Sequence, residues 1–242
     1  MNNATKAALA VLLIAIASAL GVWLNPTPEQ KAQRKALLRR EVATRVLAEN
    51  MAVRFAGKKV LIVANPFTQK PGQPKEVYVF EEAGIRGLNK GWENKIPQPK
   101  VVFPDLKADL SAVYIDPRTT TPLSFLTTEN AWDTLLQNNP DADLVVSLIG
   151  LPSNVQRTEI WRQPNRPQLA LLLPDLRVIG NGAAVKAAFQ SGKLIALVLN
   201  KPGAPPESAK MESDYAAEFH KRFLLVTAQN WDEISRTIPQ LF

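Results

Sequence analysis

The sequence has no cysteine and a single histidine, His220. The lack of cysteine excludes a disulfide framework, a cysteine nucleophile, an iron–sulfur cluster and a thiolate zinc site. The lone histidine excludes a histidine-rich metal site, so we expect no bound metal. What is present is a chain of 242 residues, 46% of them hydrophobic, which is the composition of a folded protein. That length suits one sizeable domain with an appendage, or two small domains.

The net charge of +7 comes from the first 60 residues, which hold ten basic and three acidic side chains. Acidic and basic residues balance over the rest of the chain. A nucleic-acid-binding protein usually carries its positive charge on the folded domain. Because this basic stretch directly follows an apolar run, we expect it to lie near membrane lipid and expect no nucleic-acid partner.

The apolar run extends from Ala7 to Leu24 and contains no charged residue. As a helix it would be roughly 27 Å long, enough to cross the hydrocarbon core of a bilayer. These features predict a transmembrane anchor within residues 1–25, in contact with membrane lipid. A cleaved signal peptide is the alternative, with its cleavage site at Ala17–Ala19. The continuation of the apolar run beyond that site favours the uncleaved anchor.

The side of the membrane on which the body lies is open at this point. Lys6 alone precedes the apolar run, and five basic residues between Lys31 and Arg40 follow it. The positive-inside rule therefore predicts a cytoplasmic body. The signal-like N-terminus and the lack of cysteine favour an extracytoplasmic, periplasmic body, which is the location we expect.

Residues 26–57 are predicted to form a basic connecting helix. Pro28 and Glu29 suit its first turn, and Gly57 suits its end. Its apolar residues recur at a spacing near 3.5 to 4, and they are Leu37, Leu38, Val42, Val46, Leu47 and Met51. Such a stripe fits a helix lying on anionic headgroups, a coiled-coil seam, or a stalk that packs onto the body.

Residues 58–242 alternate between short apolar, β-branched runs and helical stretches, which predicts βαβ units. The predicted strands are Lys58–Asn65, Lys100–Phe103, Ala112–Ile115, Asp143–Ile149, Gln168–Leu173, Leu194–Leu199 and Phe223–Thr227. The predicted helices are Glu76–Trp92, Thr127–Asn138, Gly182–Gln190, Ser213–Arg222 and Trp231–Leu241. The fold class is therefore α/β, a single Rossmann-like three-layer domain with a mostly parallel sheet.

Three strand ends carry a resemblance: VLIVANPF (60–67), ADLVVSLIGLPSN (142–154) and LIALVLNKPG (194–203). In this pattern the body resembles a Rossmann-like domain of the type 1 periplasmic-binding-protein sort. The resemblance implies a domain that binds a small solute. Binding proteins of that kind have two such lobes, whereas about 185 residues allow only one.

Parallel sheets bind ligands beyond the carboxyl ends of their strands. Amide, hydroxyl and charged side chains at these ends are therefore candidate contacts for a small polar ligand. The candidates are Asn65, Thr68, Asp116, Arg118, Ser153, Asn154 and Asn200. The alternative for each is turn chemistry, because turns favour the same residue types.

Motifs for catalysis are missing: the sequence has no GxSxG elbow, no GxxxxGK[ST] loop and no HExxH pair. The nearest phosphate-binding pattern is Gly180-Asn181-Gly182, between the run LRVI and a helix. Val185 stands where a third glycine would be expected, and a tight turn is the alternative. We expect no cofactor and name no catalytic residue.

Three functions remain open. The first is a non-catalytic, membrane-anchored accessory or binding subunit with protein partners in a membrane complex, as the anchor and basic helix indicate. The second is an extracytoplasmic sensor that binds a small solute at the strand ends. The third, a nucleotide-dependent enzyme, would need Asp116 or His220 as its acid or base and Gly180 and Gly182 on a phosphate.

Overall fold

A computed structural model of the chain describes residues 26–110, 121–163 and 167–242. The predicted anchor, the predicted strand Ala112–Ile115 and the candidates Asp116 and Arg118 lie outside these residues. Among the described helices, none combines the length and the apolar character that a membrane crossing requires.

The described residues contain one six-stranded sheet in the order β2-β1-β3-β4-β5-β6. Strands β1 to β5 are parallel, and β6 is antiparallel to β5. The strands are β1 (Val60–Val63), β2 (Lys100–Val102), β3 (Leu144–Ser147), β4 (Gln168–Leu172), β5 (Leu194–Asn200) and β6 (Phe223–Thr227). Strands β1 and β3 are buried along their whole length, as expected for strands covered on both faces. The predicted mostly parallel sheet is confirmed.

Helices cover both faces of this sheet. They are α1 (Pro28–Ala52), α2 (Lys75–Trp92), α3 (Ala131–Gln137), α4 (Glu159–Arg162), α5 (Gly182–Gln190), α6 (Tyr215–Arg222) and α7 (Trp231–Thr237). Helix α3 starts later than the predicted Thr127 because that segment is extended. Thr127 forms an antiparallel bridge with Leu106, and Thr128 N donates to Asp105 O at 2.8 Å.

Helix α1 begins with a capping box. Gln30 N donates to Thr27 Oγ1 at 3.1 Å, and Thr27 N donates to Gln30 Oε1 at 2.9 Å. This reciprocal pair satisfies two donors at the helix start, while Pro28 lacks the N–H that would otherwise need a partner there.

Residues Leu37–Phe242 form one compact unit, which includes most of α1. Val42, Leu47 and Met51 of α1 are buried in a core with residues of the sheet. The apolar stripe of this helix therefore packs onto the body. Leu38, which the spacing assigns to the stripe, is instead 41% exposed. Helix α1 ends at Ala52, and the chain turns towards β1 at Gly57, whose φ is +70°.

Helices α1 and α2 approach each other closely through glycine. A Cβ added at Gly87 would lie 2.2 Å from the main-chain oxygen of Glu41 and 2.0 Å from Thr44 Oγ1. One added at Gly91 would lie 2.3 Å from the main-chain oxygen of Arg45. Only glycine fits these positions, because each distance is far below van der Waals contact.

Each face of the sheet has its own apolar core with a fully buried tryptophan. Trp92, at the end of α2, packs with α1 and α6 residues on one face. Trp132, in α3, packs with α5 and α7 residues on the other face. The indole nitrogens of both residues are buried and have no hydrogen-bond partner. Both side chains are therefore held by apolar packing alone.

Candidate functional site

The carboxyl ends of β1 to β5 lie along one edge of the sheet because these strands are parallel. Strand β1 lies between β2 and β3. The connection after β1 therefore leads to one side of this strand, and the strands that follow β2 are added on its other side. In open α/β sheets such a change of direction is a usual place for ligands, here between the loops after β1 and β3.

Two candidates, Asn65 and Thr68, form the turn after β1. Asn65 Oδ1 accepts a hydrogen bond from Phe67 N at 3.0 Å and caps a short 3₁₀ helix, Pro66–Gln69. Thr68 Oγ1 donates to Asn65 O at 2.7 Å. Each side chain thus has a hydrogen bond within its own turn, the structural role given as the alternative to ligand binding.

A buried ion pair supports this turn from the helix layer. Arg40 Nη2 of α1 lies 2.7 Å from Glu81 Oε2 of α2, and Glu81 Oε1 accepts from Asn65 N at 2.9 Å. The guanidinium carbon of Arg40 lies 4.3 Å from the centroid of the Phe80 ring. The sequence did not predict this ion pair, because Glu81 is one of several charged residues in a predicted helix and nothing local distinguishes it.

The candidates after β3 are Ser153 and Asn154. Asn154 Nδ2 donates to Glu129 O at 2.9 Å and so joins its loop to the start of α3. Ser153 is exposed. Asp116 and Arg118 lie outside the described residues, so their assignment as ligand contacts stays a prediction.

The Gly180–Gly182 turn caps helix α5. Gly180 has a φ of +121°, and Asn181 Oδ1 accepts from Ala184 N at 3.1 Å. The run LRVI before it is not a strand: Leu176–Val178 is a 3₁₀ helix capped by Asp175. A dinucleotide-binding glycine turn directly follows a strand, unlike this one, and phosphate binding at Gly180 and Gly182 stays a prediction.

A groove lies at the carboxyl ends of β4 and β5, and we call it the strand-end groove. Its volume is about 450 Å³, within the range of small-molecule sites. It brings together the candidates Gly180 and Asn200. The lining residues are Leu173, Pro174, Asp175, Leu176, Arg177, Gly180, Leu199, Asn200, Gln240, Leu241 and Phe242.

An acid–base pair borders this groove. Arg177 Nη2 and Nε lie 2.6 Å and 2.8 Å from the two carboxylate oxygens of Asp175. The hydrogen bond from the Arg177 guanidinium lowers the pKa of Asp175, which therefore stays ionised at neutral pH. Sequence reasoning missed this pair, although the strand-end rule applied to β4 would have found it, since both residues follow that strand closely.

A buried lysine lies near the opposite edge of the sheet. Lys193, directly before β5, is 4% exposed and donates from Nζ to Ile160 O at 2.9 Å and Pro167 O at 3.1 Å. Burial lowers its pKa to about 8. Within the three described ranges, no group of three or more potential metal-ligating side chains is present.

No family model matches this chain, and no curated protein matches it either. Solved structures similar to the chain include a carbohydrate transporter solute-binding protein from Agrobacterium radiobacter in complex with D-arabinose (TM-score 0.46, 17% identity). Others are a periplasmic solute-binding protein from Actinobacillus succinogenes with bound D-allose (0.45, 12%) and a carbohydrate transporter from Acidothermus cellulolyticus in complex with myo-inositol (0.45, 13%).

These three similarities cover 84%, 81% and 84% of this chain, respectively, and 63%, 61% and 62% of the solved chains. This chain therefore spans less than two thirds of the length of each. The three structures belong to solute-binding or carbohydrate-transport proteins.

Proposed function

We propose that the protein binds a small, uncharged, hydroxyl-rich solute in the strand-end groove. The observation that carries this proposal is the groove itself, a cavity of about 450 Å³ at the ligand-binding edge of a mostly parallel sheet. Among the candidate residues from the sequence, it contains Asn200 and Gly180.

The chemistry of the lining supports this class of solute. Asp175 and Arg177 neutralise each other, so they attract neither an anion nor a cation strongly. The carboxylate of Asp175 accepts hydrogen bonds, whereas the amides of Asn200 and Gln240 both donate and accept them. Leucine side chains and Phe242 offer an apolar surface for the carbon face of a sugar or polyol.

The setting we propose is extracytoplasmic, as a solute sensor. The support for this location is the signal-like apolar run Ala7–Leu24 at the N-terminus. An accessory role in a membrane complex, with lipid and protein partners, stays a prediction because the described residues do not test it.

The experiment is a thermal-unfolding screen of the full chain against neutral sugars and polyols, including D-arabinose, D-allose and myo-inositol. A hexuronate and inorganic phosphate serve as charged comparison solutes. A true ligand at a hundredfold excess over its Kd stabilises the folded state by about 2.7 kcal/mol. Absence of stabilisation by every neutral solute, or stabilisation by the charged ones alone, would overturn the proposal.

Variants then locate the site of any solute that stabilises the protein. Asp175→Asn replaces a charged hydrogen-bond acceptor with a neutral amide, and Asn200→Ala removes an amide from the groove, so each should weaken binding by about tenfold or more. Asp232→Asn is the matched control, since Asp232 also pairs with a basic side chain, Lys186, but lies outside the groove. If all three variants bind the solute as tightly as the wild-type protein does, the solute binds elsewhere.

A further inference from the structure

Arg39 of α1 holds the loop that follows β5. Its Nε donates to Glu218 Oε1 of α6 at 3.0 Å. Its Nη1 donates to Glu207 O at 2.7 Å, and its Nη2 donates to Ala209 O at 3.1 Å. The Arg39 side chain is buried, so these bonds form away from bulk water. One side chain of α1 therefore fixes both α6 and the loop 201–214.

Arg222 of α6 donates hydrogen bonds to the same loop. Its Nε lies 2.6 Å from Glu218 Oε1, and its Nη1 and Nη2 donate to Pro205 O and Pro206 O at 2.8 Å and 3.2 Å. We call Arg39, Arg222 and Glu218 the arginine clamp. Its two arginines donate hydrogen bonds to four main-chain carbonyls of the loop, those of residues 205, 206, 207 and 209.

Glu218 joins the two arginines and is fully buried. Burial by itself would raise its pKa, but the main-chain N–H of Glu212 and the guanidinium groups of Arg39 and Arg222 lower it. The carboxylate is thus ionised and has partners on both oxygens. Charge-assisted hydrogen bonds of this kind are short and geometrically strict, so the clamp specifies one position for the loop.

The main chain of Arg222 connects the arginine clamp to a residue beside the strand-end groove. Lys201 N donates to Arg222 O at 2.8 Å, and the preceding Asn200 pairs with Phe223 in the β5–β6 ladder. Asn200 itself lines the groove. Arg39 is therefore linked through Glu218 to the side chain of Arg222, whose own main-chain carbonyl holds Lys201 beside the groove.

We propose that helix α1 regulates the strand-end groove through the arginine clamp, with Arg39 as a positioning residue that never touches the solute. This proposal rests on the proposed function for its effect on affinity. By linkage, solute binding and the Arg39 contacts stabilise each other by the same factor. Arg39 does not line the groove, so its effect on the solute would be indirect.

The test compares Arg39→Met with Arg40→Met in the full chain by hydrogen exchange. The two arginines are neighbours on α1 and both pair with a buried carboxylate, but Arg40 supports the turn after β1 instead. Arg39→Met should speed exchange in 199–209 and leave 64–69 unchanged, and Arg40→Met should do the opposite. Faster exchange in both segments in each variant would indicate general destabilisation and overturn the proposal.

Affinity provides the second measurement. With a solute that binds the wild-type protein, Arg39→Met should raise the Kd by about tenfold, within the usual span of coupling energies, and Arg40→Met should leave it near the wild-type value. Arg39→Lys keeps the charge but loses the forked geometry and should give an intermediate Kd. It also serves as the test variant if Arg39→Met does not fold.

The two proposals fail in different ways. If no solute binds the wild-type protein, the proposed function is refuted. The rate of hydrogen exchange in 199–209 then still shows whether Arg39 orders the chain beside the groove. If a solute binds with the same Kd in the wild-type protein and both Arg39 variants, the proposed function stands and the regulation by α1 is refuted.

Discussion

Replacing Gly87 with alanine tests the close contact between α1 and α2. In an uncrowded helix, glycine to alanine is stabilising by about 1 kcal/mol. Here the new Cβ would lie 2.2 Å from the main-chain oxygen of Glu41. That oxygen belongs to the backbone of α1 and cannot rotate away, so the two helices must separate.

Overpacking of this kind costs about 3 kcal/mol at the upper end of the usual range. The gain in helix propensity offsets about 1 kcal/mol, which leaves a net loss of about 2 kcal/mol in the free energy of unfolding. For a unit of this size, that corresponds to a fall in Tm of about 4 to 8 °C.

The assay is urea unfolding followed by circular dichroism. Asn89→Ala is the control, because Asn89 lies on the same helix but is exposed, and it should change stability by less than about 0.5 kcal/mol. Thr44→Ala combined with Gly87→Ala should recover only part of the loss, since the Glu41 oxygen remains. A Gly87→Ala protein as stable as the wild type would refute the close-contact argument.

Three further predictions concern single side chains. Because burial lowers the pKa of Lys193 to about 8, the unfolded chain binds more protons above that pH. Stability should therefore rise by about 2 kcal/mol between about pH 7.5 and about pH 9.5, relative to Lys193→Met, in urea titrations at each pH. Asn181→Ala removes the cap of α5 and should cost about 1 kcal/mol in thermal unfolding, and no loss would mean that the cap is dispensable. Because Arg177 lowers the pKa of Asp175, solute affinity measured by calorimetry should be constant from about pH 8 to about pH 5, and a marked fall within that range would contradict an ionised Asp175.

Much of the body could be predicted from local pattern. The strands from Val60 to Thr227 stand out as short β-branched runs, and the helix Gly182–Gln190 was predicted with the bounds that the structure shows. These elements are set by residues close in sequence, so a single chain reveals them. The prediction of a helix over Thr127–Asn130 was wrong, because Thr127 is extended through its pairing with Leu106, a residue distant in sequence, and residues 129–130 form a turn.

The candidate site was less accessible to sequence reasoning. The strand-end rule found Asn200, and it would have found Asp175 had it been applied to β4. The C-terminal residues Gln240–Phe242 belong to the groove only because α7 returns the chain to the sheet edge, which no local pattern encodes. The arginine clamp depends on Arg39 and Glu218 meeting across 179 positions of sequence.

The two unpaired indoles have a spectroscopic consequence. Because the Trp92 and Trp132 nitrogens contact no hydrogen-bond partner, both rings should emit at short wavelength in the folded protein and shift to the red when water reaches them. One ring lies on each face of the sheet. The chain holds three other tryptophans, Trp23, Trp161 and Trp231. Replacing these three and either one of the two buried indoles with phenylalanine leaves an optical probe of a single helix layer. Comparing the two unfolding curves would therefore reveal whether the layers melt in one transition or in sequence.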